Sequence, residues 1–381
     1  MSKTKAGLRE GFSTGSAACA AALAALECLL TGKAPHTVSV PLPPIHPKPR
    51  AWLEIPIAEA HPAQANASRL SAFACVIKDA GDDPDVTHNA RICAKVDLFP
   101  HAAQHGNIRI KGGLGVGKIT LPGLPLPPGA WAINPVPRMQ MRFALHHRWQ
   151  ELAEHTPPAM AVEISVPEGE RLAQKTFNAR LGITGGLSIL GTHGTVKAFS
   201  HAAFAATITE SIHVAKALNL PTLFFSTGRR SEKLLQAAFP QWPQQAFIQA
   251  GDFAAFALIK AHRAGFARII WGCFFGKLVK LAQGHGQTHA RRHLLDFSKL
   301  ADFCRAAGPT TCQAISQATT ANEVLELLLH TPQGPNLIRQ LTQKAANFAS
   351  HCARQPVEVH LFHLDGRKLA SFAKDIHCEE R

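Results

Sequence analysis

The feature that most constrains this chain is an alternation of short apolar runs with helical patterns, beginning after about residue 196. Strand-like runs at 222–226, 246–249 and 267–273 are each followed by a helical pattern, at 230–238, 252–263 and 276–283. A long helical pattern at 200–218 precedes them. Helices near 294–307 and 320–329 follow, then a strand at 357–362 that ends in the turn Leu364-Asp365-Gly366-Arg367. Strands joined through helices run the same way, so this spacing predicts a parallel sheet with helices on both faces. Residues 196–381 are therefore expected to form a Rossmann-like α/β domain.

Residues 1–195 read differently. An Ala/Leu-rich stretch at 16–31 has Thr14 or Ser16 as N-cap and Gly32 as its terminator, so a first helix is expected, apolar nearly all round. The run 17–26 looks like the core of a secretion signal. Glu10 before it, Glu27 after it and its short length favour a buried helix. Strands are expected at 73–78, near 91–98 and at 161–167, while the Pro-rich segment 35–62 supports only short extended pieces. Residues 111–137, rich in Gly and Pro, read as loop. The expectation is an α+β N-terminal domain with Gly-rich and Asp-rich loops, and a domain boundary near 195.

Charge narrows the ligand classes. The 40 Lys+Arg against 26 Asp+Glu leave a net +14, a field that favours anionic ligands. The basic residues are dispersed; the one tight cluster is Arg291-Arg292-His293, with Arg229-Arg230 a lesser pair. Tyr is absent, and the 21 Phe form no RNA-binding aromatic pattern, which argues against nucleic acid. The nine Cys include no C-x-x-C pair and sit in apolar contexts, so they read as small hydrophobes in a reducing cytoplasm. No membrane association is expected.

Four motifs carry chemistry. The run GGLGVGKI (112–119) is one residue from a Walker A loop, but Ile119 cannot hold magnesium and Pro122 and Pro125 forbid the helix that would face a phosphate. It is read as a glycine loop, either connecting or lining a flat ligand. Asp79, Asp82, Asp83 and Asp85 crowd a turn without calcium-loop spacing, serving either chemistry or the turn. The run GITGGLSILGTHG (182–194) offers backbone N–H groups and small donors suited to an anion nest, or to a hinge. In the α/β half, ligands belong beyond the carboxyl ends of the strands, where Ser226–Arg230, 250–252 and 272–277 converge. GHGQTH (284–289) lacks the glutamate of a zinc helix motif, so no metal site is expected.

Seven stretches in order resemble one family, the cobalt-precorrin-5B C1-methyltransferases of cobalamin (vitamin B12) biosynthesis. They are LREGFSTGSAACAAA (8–22), KDAGDDPDVTH (78–88), GGLGVGKITLPGLPLPPG (112–129), AINPVPRMQM (132–141), GITGGLSILGTHG (182–194), FSTGRRSE (225–232) and GKLVKLAQGHGQTH (276–289). The resemblance implies methyl transfer from S-adenosylmethionine to ring carbon C1, giving cobalt-precorrin-6A, with cobalt carried only inside the substrate. Departures are mild: Ser13 and Ser16 stand where the family usually has Thr, Phe274-Phe275 where small residues are common, and His193 where a hydroxyl residue is frequent.

With that reaction in view, strand-end position and side-chain chemistry give candidates for each role. Thr227, Gly228, Gly251, Asp252 and Gly272 are expected to bind the cofactor. The macrocycle, a flat polycarboxylate, is expected over 185–194, between the domains, on Thr14, Gly185, Gly186, Ser188 and Thr192. Arg138, Arg229, Arg230 and Lys277 would take its carboxylates. His193, Asp82 and Asp252 are the acid–base candidates. Two alternatives stay open: a tetrapyrrole-binding carrier or other corrin-pathway enzyme without methyl transfer, and a basic phosphate- or RNA-binding α/β protein. The oligomeric state is open too, a homo-oligomer included.

Overall fold

One helix, Thr14–Thr31, organises the N-terminal half in the computed structural model, which describes residues 7–63, 68–101, 105–153, 155–289 and 294–373. Ala, the best helix former, dominates its sequence. The Ser13 hydroxyl accepts from the Ser16 N–H at 3.1 Å, and Gly32, at φ 70°, closes the other end by donating its N–H to the Cys28 carbonyl. By length and composition the helix would suit a membrane, yet 78% of it is buried inside the protein. It lies against the strands Leu70–Ile77 and Arg91–Phe99 and the helix Pro135–Leu152.

Those strands belong to a five-stranded sheet in the order Glu59–Pro62, Leu70–Ile77, Arg91–Phe99, Ala159–Ser165, Ile108–Gly112. All neighbours are antiparallel except Ile108–Gly112, which runs parallel to Ala159–Ser165. Val162 and Ile164 are fully buried on the face where Val96, Ile92 and the helix alanines meet. Cys75 and Cys93 stand opposite each other across adjacent strands and are joined as a disulfide, an exception to the expectation of uniformly reduced thiols. Direct cross-strand pairing puts the two side chains on one face.

The second half is built on a sheet in the order Phe247–Gln249, Thr222–Ser226, Arg268–Phe274, Val357–Phe362, Lys368–Phe372. The first four strands are parallel and the last is antiparallel. Leu223, Phe225, Ile269 and Trp271 face the helices Ala254–Arg263, Phe275–Ala282 and Gly334–Ala353, whereas Phe224 and Ile270 face Leu235 of Arg229–Ala238. Helices thus cover both faces. The chain divides into compact units Met1–His201 and Ala202–Arg381.

Several elements differ from expectation. The stretch 111–137, read as loop, takes in the end of the strand Ile108–Gly112, the strand Lys118–Ile119 and the start of a helix at Pro135. The helices Pro135–Leu152, Pro309–Gln317 and Gly334–Ala353 were not expected; each carries a proline in its first turn, where a missing N–H removes no helical bond. The basic cluster Arg291-Arg292-His293 lies outside the described residues.

Candidate functional site

In the second unit the strand order reverses at one place. From Thr222–Ser226 the chain passes through Arg229–Ala238 on one face to the neighbouring strand Phe247–Gln249. It then passes through Ala254–Arg263 on the other face to Arg268–Phe274, on the opposite side of Thr222–Ser226. The loops after Thr222–Ser226 and Arg268–Phe274 therefore lead apart, and a crevice at the carboxyl ends of two such strands is where open α/β sheets bind ligands. Thr227 and Gly228 border it from one side, Phe275 and Gly276 from the other. A Cβ on Gly228 would meet nothing within 4 Å, so the backbone there is open to approach. Just before it, the Ser226 hydroxyl is fully buried and has no hydrogen-bond partner among the described residues.

Thr227 is fixed by Ser231, whose hydroxyl lies 3.2 Å from both its N and its Oγ1. Gly251 adopts φ +56° and brings the chain round to Asp252. The Asp252 carboxylate binds the Lys277 ammonium and accepts from Thr288 Oγ1 at 3.1 Å. Lys277 also donates to the Thr288 carbonyl at 2.9 Å, as does Lys280 at 3.0 Å. Burial would raise the Asp252 carboxyl, but Lys277, Thr288 and His289 outweigh it and hold it below its ordinary range. Burial, with Lys277 beside it, pulls Lys280 down. Gly272 packs elsewhere: a Cβ there would lie 2.6 Å from Leu235, so it serves helix-to-sheet contact. Arg229 is exposed; Arg230 donates to the Leu364 carbonyl at 3.0 Å and lies over the Phe274 ring.

In the first unit, the two glycine runs stack on each other through backbone. Gly117 N donates to Leu187 O and Leu187 N to Gly115 O, both at 2.9 Å; Ile189 and Asn134 continue the ladder. Thr14 ties the helix start to this ladder, its Oγ1 accepting from Leu190 N at 2.9 Å. Ser188 is buried beside Asn178, and Gly186 rests against the Gly115 carbonyl. Arg138 is occupied as well: its guanidinium donates to the carbonyls of Ile133 at 2.7 Å and Ile110 at 2.8 Å. Burial pulls its pKa below the usual guanidinium value. Gly185, Thr192 and His193 are the members of this set that face solvent.

The Asp-rich turn holds the chain start. Asp79 receives the Arg9 guanidinium, Asp82 accepts from Arg9 N at 2.7 Å, and Asp83 accepts from Phe199 N at 2.8 Å. Asp85 neutralises Lys78, whose side chain is 1% exposed, at 2.8 Å. The arrangement satisfies a strand-to-strand connection that needs four acids for its own contacts.

Residue reading gave no individual role to Ser226, Thr288, Lys280 or His363, although it placed the turn after residue 362. Ser226 stands in the quoted strand-end segment, and His363 is the first residue after the fourth parallel strand, so strand-end position was the available signal. Thr288 and Lys280 are distant in sequence from Asp252, and only the fold brings them to it.

Comparisons with known proteins agree over most of the chain. The CbiD family profile matches residues 1–198, and its CbiD C-terminal domain matches residues 287–372. A protein of Nitratidesulfovibrio vulgaris named cobalt-precorrin-5B C(1)-methyltransferase is 45% identical over 97% of this chain and 94% of its own length. Proteins of the same name from Priestia megaterium (42% identical over 84% of each chain) and Polaromonas naphthalenivorans (39% over 96% of this chain and 97% of its own) also match. A crystal structure of the cobalamin biosynthesis protein cbiD from Archaeoglobus fulgidus overlaps loosely, with TM-score 0.38 and 26% identity over 72% of this chain and 79% of its own. With its N-terminal half and its C-terminal segment both matched in order, and relatives aligned nearly end to end, the chain belongs to the CbiD family.

Proposed function

We propose that this protein methylates C1 of cobalt-precorrin-5B, giving cobalt-precorrin-6A, in the anaerobic-type cobalamin pathway, with S-adenosylmethionine as donor. The observation that carries the reading is the near end-to-end match, at 45% identity, to a relative bearing that name. The chemistry fits a cleft without a protein nucleophile. S-adenosylmethionine, when bound, supplies a methyl group already activated by its sulfonium; the protein has to align donor and acceptor and keep water out.

The second unit is read as a Rossmann-like domain whose switch point takes the donor. Gly228 offers an open backbone, and the unpartnered Ser226 hydroxyl a donor beside it. Thr227, Gly251 and Asp252 complete this side, while Gly272 supports it from within the packing. Asp252, held ionised by Lys277, suits a fixed negative charge better than a proton acceptor, because a depressed pKa makes a weak base. Arg229 and Arg230 are assigned to substrate carboxylates, as is Lys277, in its ion pair with Asp252. On the first unit, Gly185, Thr192 and His193 form the exposed part of the macrocycle surface, and His193 is the proton-handling group. Thr14, Gly186, Ser188, Arg138 and Asp82 support that surface from behind. The substrate is a tetrapyrrole carrying its own cobalt, and the location assigned is the cytoplasm.

The test is turnover and binding together. Purified protein incubated with cobalt-precorrin-5B and S-adenosylmethionine should yield a product heavier by one methyl group. Calorimetric titration with S-adenosylhomocysteine should show binding that tightens when the tetrapyrrole is present. Tetrapyrrole binding with neither transfer nor S-adenosylhomocysteine binding would make the protein a carrier. Salt-sensitive binding to random RNA in their place would make it a phosphate-binding protein.

A further inference from the structure

We propose that His363 is a proton-dependent strut that holds Arg230 in position to receive a carboxylate of the substrate; the identity of that carboxylate rests on the methyltransferase reading. The strand Val357–Phe362 runs parallel to Arg268–Phe274, with Phe362 level with Phe274. Its carboxyl end therefore opens at the same edge of the sheet as Thr227–Gly228 and Phe275–Gly276. His363 is the first residue past that end.

The His363 side chain is 14% exposed and stands between two carboxylates. Nε2 lies 3.0 Å from Glu326 Oε1, on the helix Ala321–Leu329, and Nδ1 lies 2.9 Å from Asp365 Oδ2 in its own turn. A ring with both nitrogens against carboxylate oxygens donates twice, which only the imidazolium can do. The other charged groups around the turn are Arg367, whose Nε donates to Asp365 Oδ2 at 2.7 Å, Arg230 from the helix Arg229–Ala238, and Lys368, paired with Phe362 across the hairpin. The hydrogen bonds to Glu326 and then Asp365 raise the pKa above the ordinary histidine value, with burial opposing. A neutral ring has a different partner at hand, because the Asp365 backbone N–H lies 3.3 Å from Nδ1 and can donate to it. Each protonation state thus has its own hydrogen-bond set, and the turn is shaped by which one holds.

The turn in turn fixes Arg230. Leu364, between His363 and Asp365, offers the carbonyl that accepts from Arg230 Nη2 at 3.0 Å, while the guanidinium lies 5.4 Å from the Phe274 ring centre. Held on one edge and on one face, a planar guanidinium keeps its remaining N–H groups as a fork for a carboxylate. His363 touches no reacting atom; it is a positioning residue. Because its folded pKa is raised, the strut is in place at low pH and is lost as pH rises through that raised value. Substrate KM rises there, and kcat does not follow.

The experiment uses the full-length protein labelled with 15N. Ring-nitrogen spectra follow the protonation of His363, assigned with His363→Gln, and the Arg230 Nε–H signal is assigned with Arg230→Lys. The expected result is a His363 midpoint above the ordinary histidine value, an Arg230 signal that moves with the same midpoint, and a downward shift of both in Glu326→Gln. In turnover with cobalt-precorrin-5B, KM should rise about tenfold across that midpoint with kcat changed less than about twofold. Glu326→Gln and Asp365→Asn should each move the KM profile to lower pH, which a purely structural contact would not do. A His363 midpoint at or below the ordinary value, or an Arg230 signal indifferent to it, overturns the proposal. Absence of methyl transfer at every pH would sink the functional reading alone, since the His363–Arg230 coupling is read without turnover.

Discussion

In the first unit, the glycines of 112–117 and 182–194 other than Gly185 are packed against the protein itself, main chain at Gly115 and Gly186 and side chains at Gly112, Gly113, Gly182, Gly191 and Gly194; in the second, Gly228 faces open space. A Cβ on Gly115 would lie 1.9 Å from the Val166 carbonyl oxygen, and one on Gly186 would lie 2.1 Å from that of Gly115. Both runs look alike in sequence to a ligand-binding glycine loop, yet here Gly115, Gly117 and Gly186 let main chain meet main chain, and others make room for side chains such as Trp131, Leu121 and Ser13. The polar residues divide the same way. Arg138 is held by carbonyls, whereas Arg229 is exposed at a strand end. The lesson is that a glycine-rich motif marks close approach without saying whether a ligand or the protein's own atoms do the approaching.

The sharpest way to break this contrast is Gly115→Ala. The methyl group would overlap the Val166 carbonyl, at a residue whose φ of +69° already disfavours a side chain. A loss of about 4 kcal/mol is expected, lowering the melting temperature by about 10 °C. Thermal unfolding followed by circular dichroism would read it; an unchanged melting temperature would show that the loop is loosely packed and free for a ligand.

Asp85→Asn tests whether the Asp-rich turn is structural. It leaves the Lys78 ammonium buried beside a neutral amide, and a loss of about 3 kcal/mol is expected from breaking such a pair. Burial would raise the Asp85 carboxyl, but Lys78 and Thr87 outweigh it and hold its pKa below the ordinary value. A carboxylate lowered in the folded state contributes stability above its unfolded pKa of about 4. That contribution fades as pH falls through the folded value. The wild type should therefore lose stability below about pH 4, and Asp85→Asn should lose less over the same window. Equal acid sensitivity in both would remove the turn from the structural side of the comparison.

Arg138→Ala against Arg229→Ala separates the two kinds of arginine. Arg138→Ala strands the carbonyls of Ile133 and Ile110 and should cost about 2 kcal/mol in urea unfolding. Arg229→Ala should change stability by less than about 0.5 kcal/mol, as surface substitutions do, while raising substrate KM. The reverse pattern would return Arg138 to the binding surface that sequence reading gave it.

These contrasts also measure what the chain's sequence disclosed. Strand–helix alternation announced the parallel sheet because its period is local: the residues of 222–283 carry it without reference to distant segments. The helices beginning near Pro135, Pro309 and Pro335 stayed hidden because proline breaks a helix everywhere except in its first turn, and position within a helix is not visible before the helix is known. Site residues followed the same rule. Thr227 and Gly228 could be named from a strand end, but the pairing of Asp252 with Lys277 and Thr288 joins residues far apart in sequence and needs the folded sheet to be seen. Arg138 misled because an exposed arginine and one bonded to carbonyls carry the same letter.

Gly228→Ala has the smallest expected effect on the fold and the most specific one on binding. The residue has φ 161°, extended backbone that any amino acid adopts, and its added Cβ meets nothing within 4 Å. Stability should stay within about 0.5 kcal/mol of wild type, or rise slightly as the unfolded chain loses freedom. If the open backbone is where the donor approaches, the methyl group occupies its path and S-adenosylhomocysteine affinity should fall about tenfold, a change of about 1.4 kcal/mol in calorimetric titration. Unchanged affinity in a fully folded variant would mean that the space beside Gly228 is only a gap in the surface. The contrast between the two glycine sets would then reduce to packing alone, and the donor site would have to be sought on the Asp252 side of the crevice.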